Sequence, residues 1–176
     1  MRKKKCKHCH QEFTPLRPLQ VACSIDHAIE YARKLKQKNL RKQYQEAKEH
    51  AKTRSEWIKE AQTAFNSFIR KRDESLPCIS CGRFHLGQWH AGHYRTTAAC
   101  PELRFSELNV WKQCAPCNNH KHGNITEYRI NLIKRIGIAQ VEWLEGPHEP
   151  KKWTIPELKE LKELYKEKLK NFTKND

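Results

Sequence analysis

Hydrophobic and polar positions alternate with a helical period over both flanks of the chain and lose that period in the middle. From Ser24 to Ser75 there is no glycine and no proline, and Ala, Lys, Glu, Gln, Arg and Leu, all good helix formers, recur throughout. The segment predicts one very long helix or two in line; fifty residues at the helical rise would reach roughly 75 Å. Its apolar positions, from Ile29, Leu35 and Leu40 to Trp57, Phe65 and Ile69, drift around the helix and thin out between residues 36 and 56. That pattern describes an exposed arm rather than a sustained coiled coil. Further on, Ile125, Tyr128, Ile130, Leu132, Ile133 and Ile136 repeat at helical spacing and stop at Gly137, a C-cap. A short helix around Ala139 to Leu144 follows, and GPHEP breaks the chain. Thr154 and Pro156 then open an amphipathic helix through Phe172 with Leu158, Leu161, Leu164, Tyr165 and Leu169 as its stripe.

Between Leu76 and Gly123 the period vanishes and Pro, Gly, Cys, His and Trp cluster, the mark of a compact module stapled by metal. Composition sharpens this: apolar residues are 37% of the 176 and charged residues 31%, so one large core is not expected. Small modules with such cores rely on metal or disulfides. No long apolar run and no apolar stretch behind MRKKKCKHC point to a membrane span or a secretory signal. The expectation is a soluble, intracellular protein without membrane partners, in a reducing compartment where C-x2-C pairs with nearby histidines read as metal ligands rather than disulfides.

Charge adds a partner. Residues 1–74 hold 19 Lys/Arg against 9 Asp/Glu, residues 75–150 hold 8 against 6 and residues 151–176 hold 8 against 5, so +10 of the formal +15 lies in the first segment. Two bound zinc ions on deprotonated cysteines would leave a net charge of about +12, a surface suited to nucleic acid.

Two cysteine patterns fit zinc. Cys6 and Cys9 form a knuckle, and after thirteen residues Cys23 and His27, four apart, share one face of a helix's first turn, with Ser24 near the N-cap. His27 is the expected fourth ligand of this structural Zn2+, with His8 and His10 as competitors. Cys78 and Cys81 pair across 32 residues with Cys114 and Cys117, a strong four-cysteine Zn2+ pattern, and Cys100 is left over as a buried or free thiol. The insert holds WHAGHY and Asn109, and Asn118 follows the last cysteine.

Taken together, CISC, AGHY and NVWKQCAPCNNHKH resemble the HNH, or ββα-metal, nuclease motif in its four-cysteine form. The wider set TPLRPLQVACS, IEYARK, AGHYRT, LRFSELNV, QCAPCN and GNITEYRINLI is similar to the lambdoid phage NinG (Rap) family over about residues 3–146. The resemblance implies a structure-selective endonuclease that cuts branched recombination DNA, such as Holliday junctions or D-loops. By the same resemblance His93 is the general base and Asn109 pins the loop that aims it, while Asn118 holds a catalytic Mg2+ or Mn2+.

His122, four residues on, could complete a ligand pair if both lie on one helical face. The residue before the base, where the family usually has a metal-binding Asp or His, is Gly92. His90 is the natural substitute, but residues 90 and 93 of a regular strand point to opposite faces, so a bulge at Gly92 would be needed. Arg95, Arg104, Lys121 and Arg129 are the expected DNA contacts. His85, His120 and His148 read as surface histidines, and Trp89, Tyr94, Phe105 and Trp111 as a small core around the zinc.

The expected class is thus α+β and mostly helical. It comprises an N-terminal zinc finger (1–27), a long basic helical arm (28–75), an HNH-like ββα-metal module (76–146) and a C-terminal amphipathic helix (147–176). Expected partners are branched DNA, a second copy of the chain joined through the long helices, and phage recombination proteins. The competing reading is a non-catalytic zinc protein that binds nucleic acid as a recombination or replication accessory.

Overall fold

The structure, a computed structural model, describes residues 2–172. The last four positions of the expected C-terminal helix, 173–176, lie outside the described residues. The chain divides after Lys52 into two compact units.

In the first unit Lys4–Lys5 (β1) and Glu12–Phe13 (β2) pair antiparallel. The turn between them carries Cys6 and Cys9. Ser24 accepts a hydrogen bond from the His27 N–H and caps the helix Ile25–Ala51 (α1). Among the described residues of this unit only Cys6, Pro15 and Ala22 are buried, and α1 buries none. The helix is an exposed arm, as the sparse apolar pattern predicts.

The arm does not run to residue 75. Lys52 leaves helical geometry (φ −62°, ψ 131°), and Thr53 begins a second helix, Arg54–Arg72 (α2). Thr53 and Glu56 form a capping box, each side chain bonding the other's backbone N–H. A start signal of this kind is visible in TRSE, but unbroken helix propensity on both sides conceals it. The 28–75 reading is therefore corrected: its first half is arm, and its second half is core of the other unit.

That second unit is built around α2. Trp57, Ala61, Phe65, Phe68 and Ile69 bury one face of α2 against Leu158 and Tyr165 of the helix Ile155–Phe172 (α5), with Phe105 and Val110 closing the cluster. The expected stripe of α5 holds except at Leu164, which is exposed. Thr154 and Glu157 cap α5 reciprocally. The described part of the expected 147–176 segment, α5, is thus a packed partner of α2 within this unit.

Trp89–His93 (β3) and Val110–Cys114 (β4) form a two-stranded antiparallel sheet in continuous register, His90 opposite Gln113 and His93 opposite Val110, with no bulge. The helices Ile125–Ile136 (α3) and Ile138–Glu145 (α4) follow. They enclose a second core of Ile79, Tyr94, Cys100, Leu103, Tyr128, Leu132, Val141 and Leu144. The expected aromatic core around the metal is instead divided: Phe105 belongs to the α2/α5 cluster, Tyr94 to the α3/α4 cluster, and Trp89 packs on the cysteines.

Asp73 ties α2 to the sheet. Its carboxylate is fully buried, pairs with Arg72 at 2.7 Å, and accepts the Lys112 N–H at 2.9 Å. No described helix is long and apolar enough to cross a membrane.

Candidate functional site

Two groups of side chains can hold a metal ion: Cys6, Cys9, Cys23 and His27, and Cys78, Cys81, Cys114 and Cys117, each with its four donor atoms within 4.8 Å of one another. Zn–S bonds of about 2.3 Å in a tetrahedron place sulfurs about 3.8 Å apart. The Cys9 and Cys23 sulfurs are 3.7 Å apart, and those of Cys81 and Cys114 are 3.9 Å apart. Among the described residues these are the groups of three or more Cys, His or carboxylates with that spacing.

His27 Nδ1 lies 3.0 Å from Cys23 Sγ, so the helical i, i+4 spacing delivers it. His8, the competitor, turns its Nε2 to Glu30 at 3.0 Å and stacks on the His27 ring. Burial raises the Cys6 pKa, but backbone N–H groups of Cys9, Cys23 and His8 aimed at its sulfur outweigh this and bring it down to about 5. Cys78 is likewise lowered, its burial outweighed by the N–H groups of Cys114, Cys81 and Ser80. In each site the thiolate form of one sulfur is thus favoured by the N–H groups around it. His85 is not a plain surface residue: its Nε2 stands 3.1 Å from Cys81 Sγ.

A cleft of about 330 Å³ opens between α2 and β3, bordered by Gln62, Asn66, Arg70, His90, Ala91, His93, Thr97, Arg104 and Asn118. His93 Nε2 is 3.0 Å from the Arg104 carbonyl. A carbonyl only accepts, so Nε2 carries the hydrogen and Nδ1 is the basic nitrogen. Burial first, and the Arg104 charge after it, lower the His93 pKa below 6.5 against the opposing pull of that hydrogen bond.

Asn109 is fully buried. Its Oδ1 accepts the Arg95 N–H at 2.7 Å, and its Nδ2 donates to the Arg95 and Leu103 carbonyls at 3.0 and 3.1 Å. It ties the backbone of Arg95 to that of Leu103 across the loop after His93.

His90 and Asn118 border the same cleft as His93 although the strand has no bulge. His90 Nε2 is buried without a hydrogen-bond partner, and the Asn118 amide nitrogen donates to Asn119 Oδ1 at 2.8 Å. Gly92 is fixed by space: a Cβ there would stand 2.0 Å from Gln113 Oε1, and Gln113 is held by Ser80 and the Gly123 carbonyl. No side chain, acidic or otherwise, fits at that position without displacing this network.

His122 does not border the cleft. Four-residue spacing aligns side chains only on an α-helix, whereas Pro116–His120 is a wider π turn, and His122, Gly123 and Asn124 all have positive φ. Of the expected DNA contacts only Arg104 reaches the cleft. Arg95 Nε donates to the buried Cys100 sulfur at 3.4 Å. Arg129 forms a two-pronged pair with Glu145 at 2.7 and 2.9 Å, and the Tyr94 hydroxyl donates to the same carboxylate. Lys121 sits on the cysteine side, next to Cys81, Arg83 and His85. Gln62, Asn66 and Arg70 were not expected at the site, because the patterning assigned α2 to an arm.

The fold and these clusters define a mostly helical α+β protein with two small sheets and two cysteine-rich sites able to hold zinc. Residues 1–175 match the family described as Bacteriophage Lambda NinG protein, and the chain belongs to that family. It is 44% identical to Protein ninG of Escherichia phage 933W over 188 aligned positions, 97% of this chain and 94% of that protein. It is 57% identical to Protein ninG of Salmonella phage P22 over 121 residues, 69% of this chain and 60% of that protein. With Protein ninG of Escherichia phage lambda the identity is 56% over 121 residues, 69% of this chain and 59% of that protein. The match to the P22 and lambda proteins thus covers less than two thirds of their length. No solved structure matches.

Proposed function

We propose that the chain is a metal-dependent HNH-type endodeoxyribonuclease that cuts branched recombination DNA. The observation that carries this reading is His93, locked by the Arg104 carbonyl with Nδ1 as its basic nitrogen, bordering one cleft with Asn118 while Asn109 staples the adjoining loop. The order β3, β4, α3 around a four-cysteine cluster supports the same motif.

In this reading His93 Nδ1 takes a proton from the attacking water, and burial keeps the ring neutral and ready to accept it. Arg104 steadies the phosphate. His90 Nε2, buried and unpartnered, and the Asn118 amide oxygen are neutral donors that fit a hydrated divalent cation. When bound, Mg2+ or Mn2+ supplies charge neutralisation at the phosphate and the leaving oxygen. Junction preference rests on the family resemblance, and paired cuts require two copies of the chain. The exposed Ile29, Leu35, Leu40 and Tyr44 of α1 offer a surface for pairing them; a light-scattering mass of 20.9 kDa rather than twice that would refute the dimer.

The test incubates zinc-loaded protein with a labelled four-way junction and matching linear duplex, with and without Mg2+ or Mn2+, beside His93→Ala. Metal-dependent cutting abolished by His93→Ala is expected. Binding without cutting, or cutting that His93→Ala leaves intact, refutes the reading and favours the non-catalytic accessory protein. Because the neutral ring is the active form and its pKa is lowered, the acid limb of the pH–rate profile is expected below pH 6.5.

A further inference from the structure

We propose that α2 supplies a phosphate-binding wall to the His93 cleft: Arg70, with Asn66 and Gln62, faces Arg104, and together they grip the sugar–phosphate backbone of nucleic acid without any divalent ion. This rests on the nuclease reading for its biological setting but not for its chemistry.

Gln62, Asn66 and Arg70 stand at i, i+4 and i+8, one row along α2. The row lies beside the face that buries Ala61, Phe65 and Ile69, so the packing of the core fixes where it points. All three border the cleft. Gln62 Nε2 donates to Asn66 Oδ1 at 2.8 Å, and Gln62 Oε1 accepts from Arg104 at 3.3 Å, which links the two walls. Arg70 donates to the Ser67 hydroxyl at 3.1 Å.

Charge makes the row a site. Neighbouring cations of the unit are paired: Arg72 with Asp73, Lys71 with Glu74, and Lys162 with Glu60. Among the described residues neither Arg70 nor Arg104 has a carboxylate at ion-pair distance, and no acidic residue borders the cleft. Two guanidinium groups, two imidazoles and three amides around a cavity free of carboxylates make a lining suited to an anion. A guanidinium fork matches a phosphate's oxygens, and amides extend the grip to the sugar–phosphate edge. A bare divalent cation would meet only neutral donors and positive charge there, so the phosphate is the ligand that binds first.

The test measures fluorescence anisotropy of a labelled four-way junction and a matching duplex against zinc-loaded full-length protein in buffer without magnesium or manganese. Arg70→Gln and Arg104→Gln are each expected to raise Kd about tenfold and to lower the salt-dependence slope by about one. Asn66→Ala is expected to raise Kd about threefold, in keeping with a neutral hydrogen bond. Lys166→Gln, an exposed lysine of α5 that does not border the cleft, controls for loss of charge alone, and thermal unfolding confirms that each variant is folded. Arg70→Gln matching Lys166→Gln in both Kd and slope would overturn the proposal. Protein that binds through Arg70 but cuts nothing sinks the nuclease reading and keeps the wall. Protein that cuts through His93 while Arg70→Gln keeps wild-type Kd and KM sinks the wall alone.

Discussion

The two cysteine clusters perform different work because their surroundings differ. The second has three of its four ligands buried and is one of three packed clusters in its unit. Among the described residues the first has a single buried cysteine and no hydrophobic cluster beside it. Bound metal would therefore be one contributor among several to the second unit and the main tertiary tie of the first. Where a segment cannot bury enough apolar surface to offset its ordering entropy, metal binding free energy becomes folding free energy.

Metal removal is the strongest way to break this contrast. Structural zinc in small fingers contributes roughly 10–16 kcal/mol in apparent terms, so stripping it, or Cys23→Ser, should abolish hydrogen-exchange protection over residues 2–24. The α2/α5 amides should stay protected. Persistent protection of the first unit without metal would show that some other interaction holds it.

Phe65→Ala probes the opposite pole. A fully buried ring in the α2/α5 cluster is worth about 3–5 kcal/mol, so the denaturation midpoint of the second unit should fall while zinc content at the first site is unchanged. Gly92→Ala comes next: the added methyl meets Gln113 Oε1, and overpacking of this kind costs about 1–3 kcal/mol. A crystal structure of that variant should show Gln113 displaced from Ser80 and Gly123.

The smallest effects come from the caps on either side of the division between units. Thr53→Ala removes the capping box of α2 and should cost the second unit about 1 kcal/mol. Ser24→Ala removes a similar hydrogen bond from α1, but α1 buries no side chain, so the loss should appear as fraying of the first turn of α1 by NMR with no change in the midpoint of the second unit. Equal effects on both units would mean that they unfold as one.

Much of this organisation is legible in residue spacing. Helix ends at Gly137 and Thr154 and the two cysteine-rich clusters follow from short-range rules, since caps, knuckles and i, i+4 pairs act over a few residues. His122 shows where such rules stop: its spacing was helical, but the local turn was not. Arg129 shows the same limit from another side, because its partner Glu145 is sixteen residues away and a basic residue alone does not reveal a carboxylate facing it.

The sequence by itself determined the helical flanks, the caps at Gly137 and Thr154 and the spacing that gathers the two cysteine-rich clusters, because each is fixed by local geometry or by a motif of few residues. Tertiary structure decided which half of a uniform helical stretch became core and which stayed an arm. It also turned the row Gln62, Asn66 and Arg70 toward His93 and left no room for a side chain at Gly92. The physical reason is common to all three: burial and alignment depend on contacts between segments tens of residues apart, and local propensity is the same whether those contacts form or not.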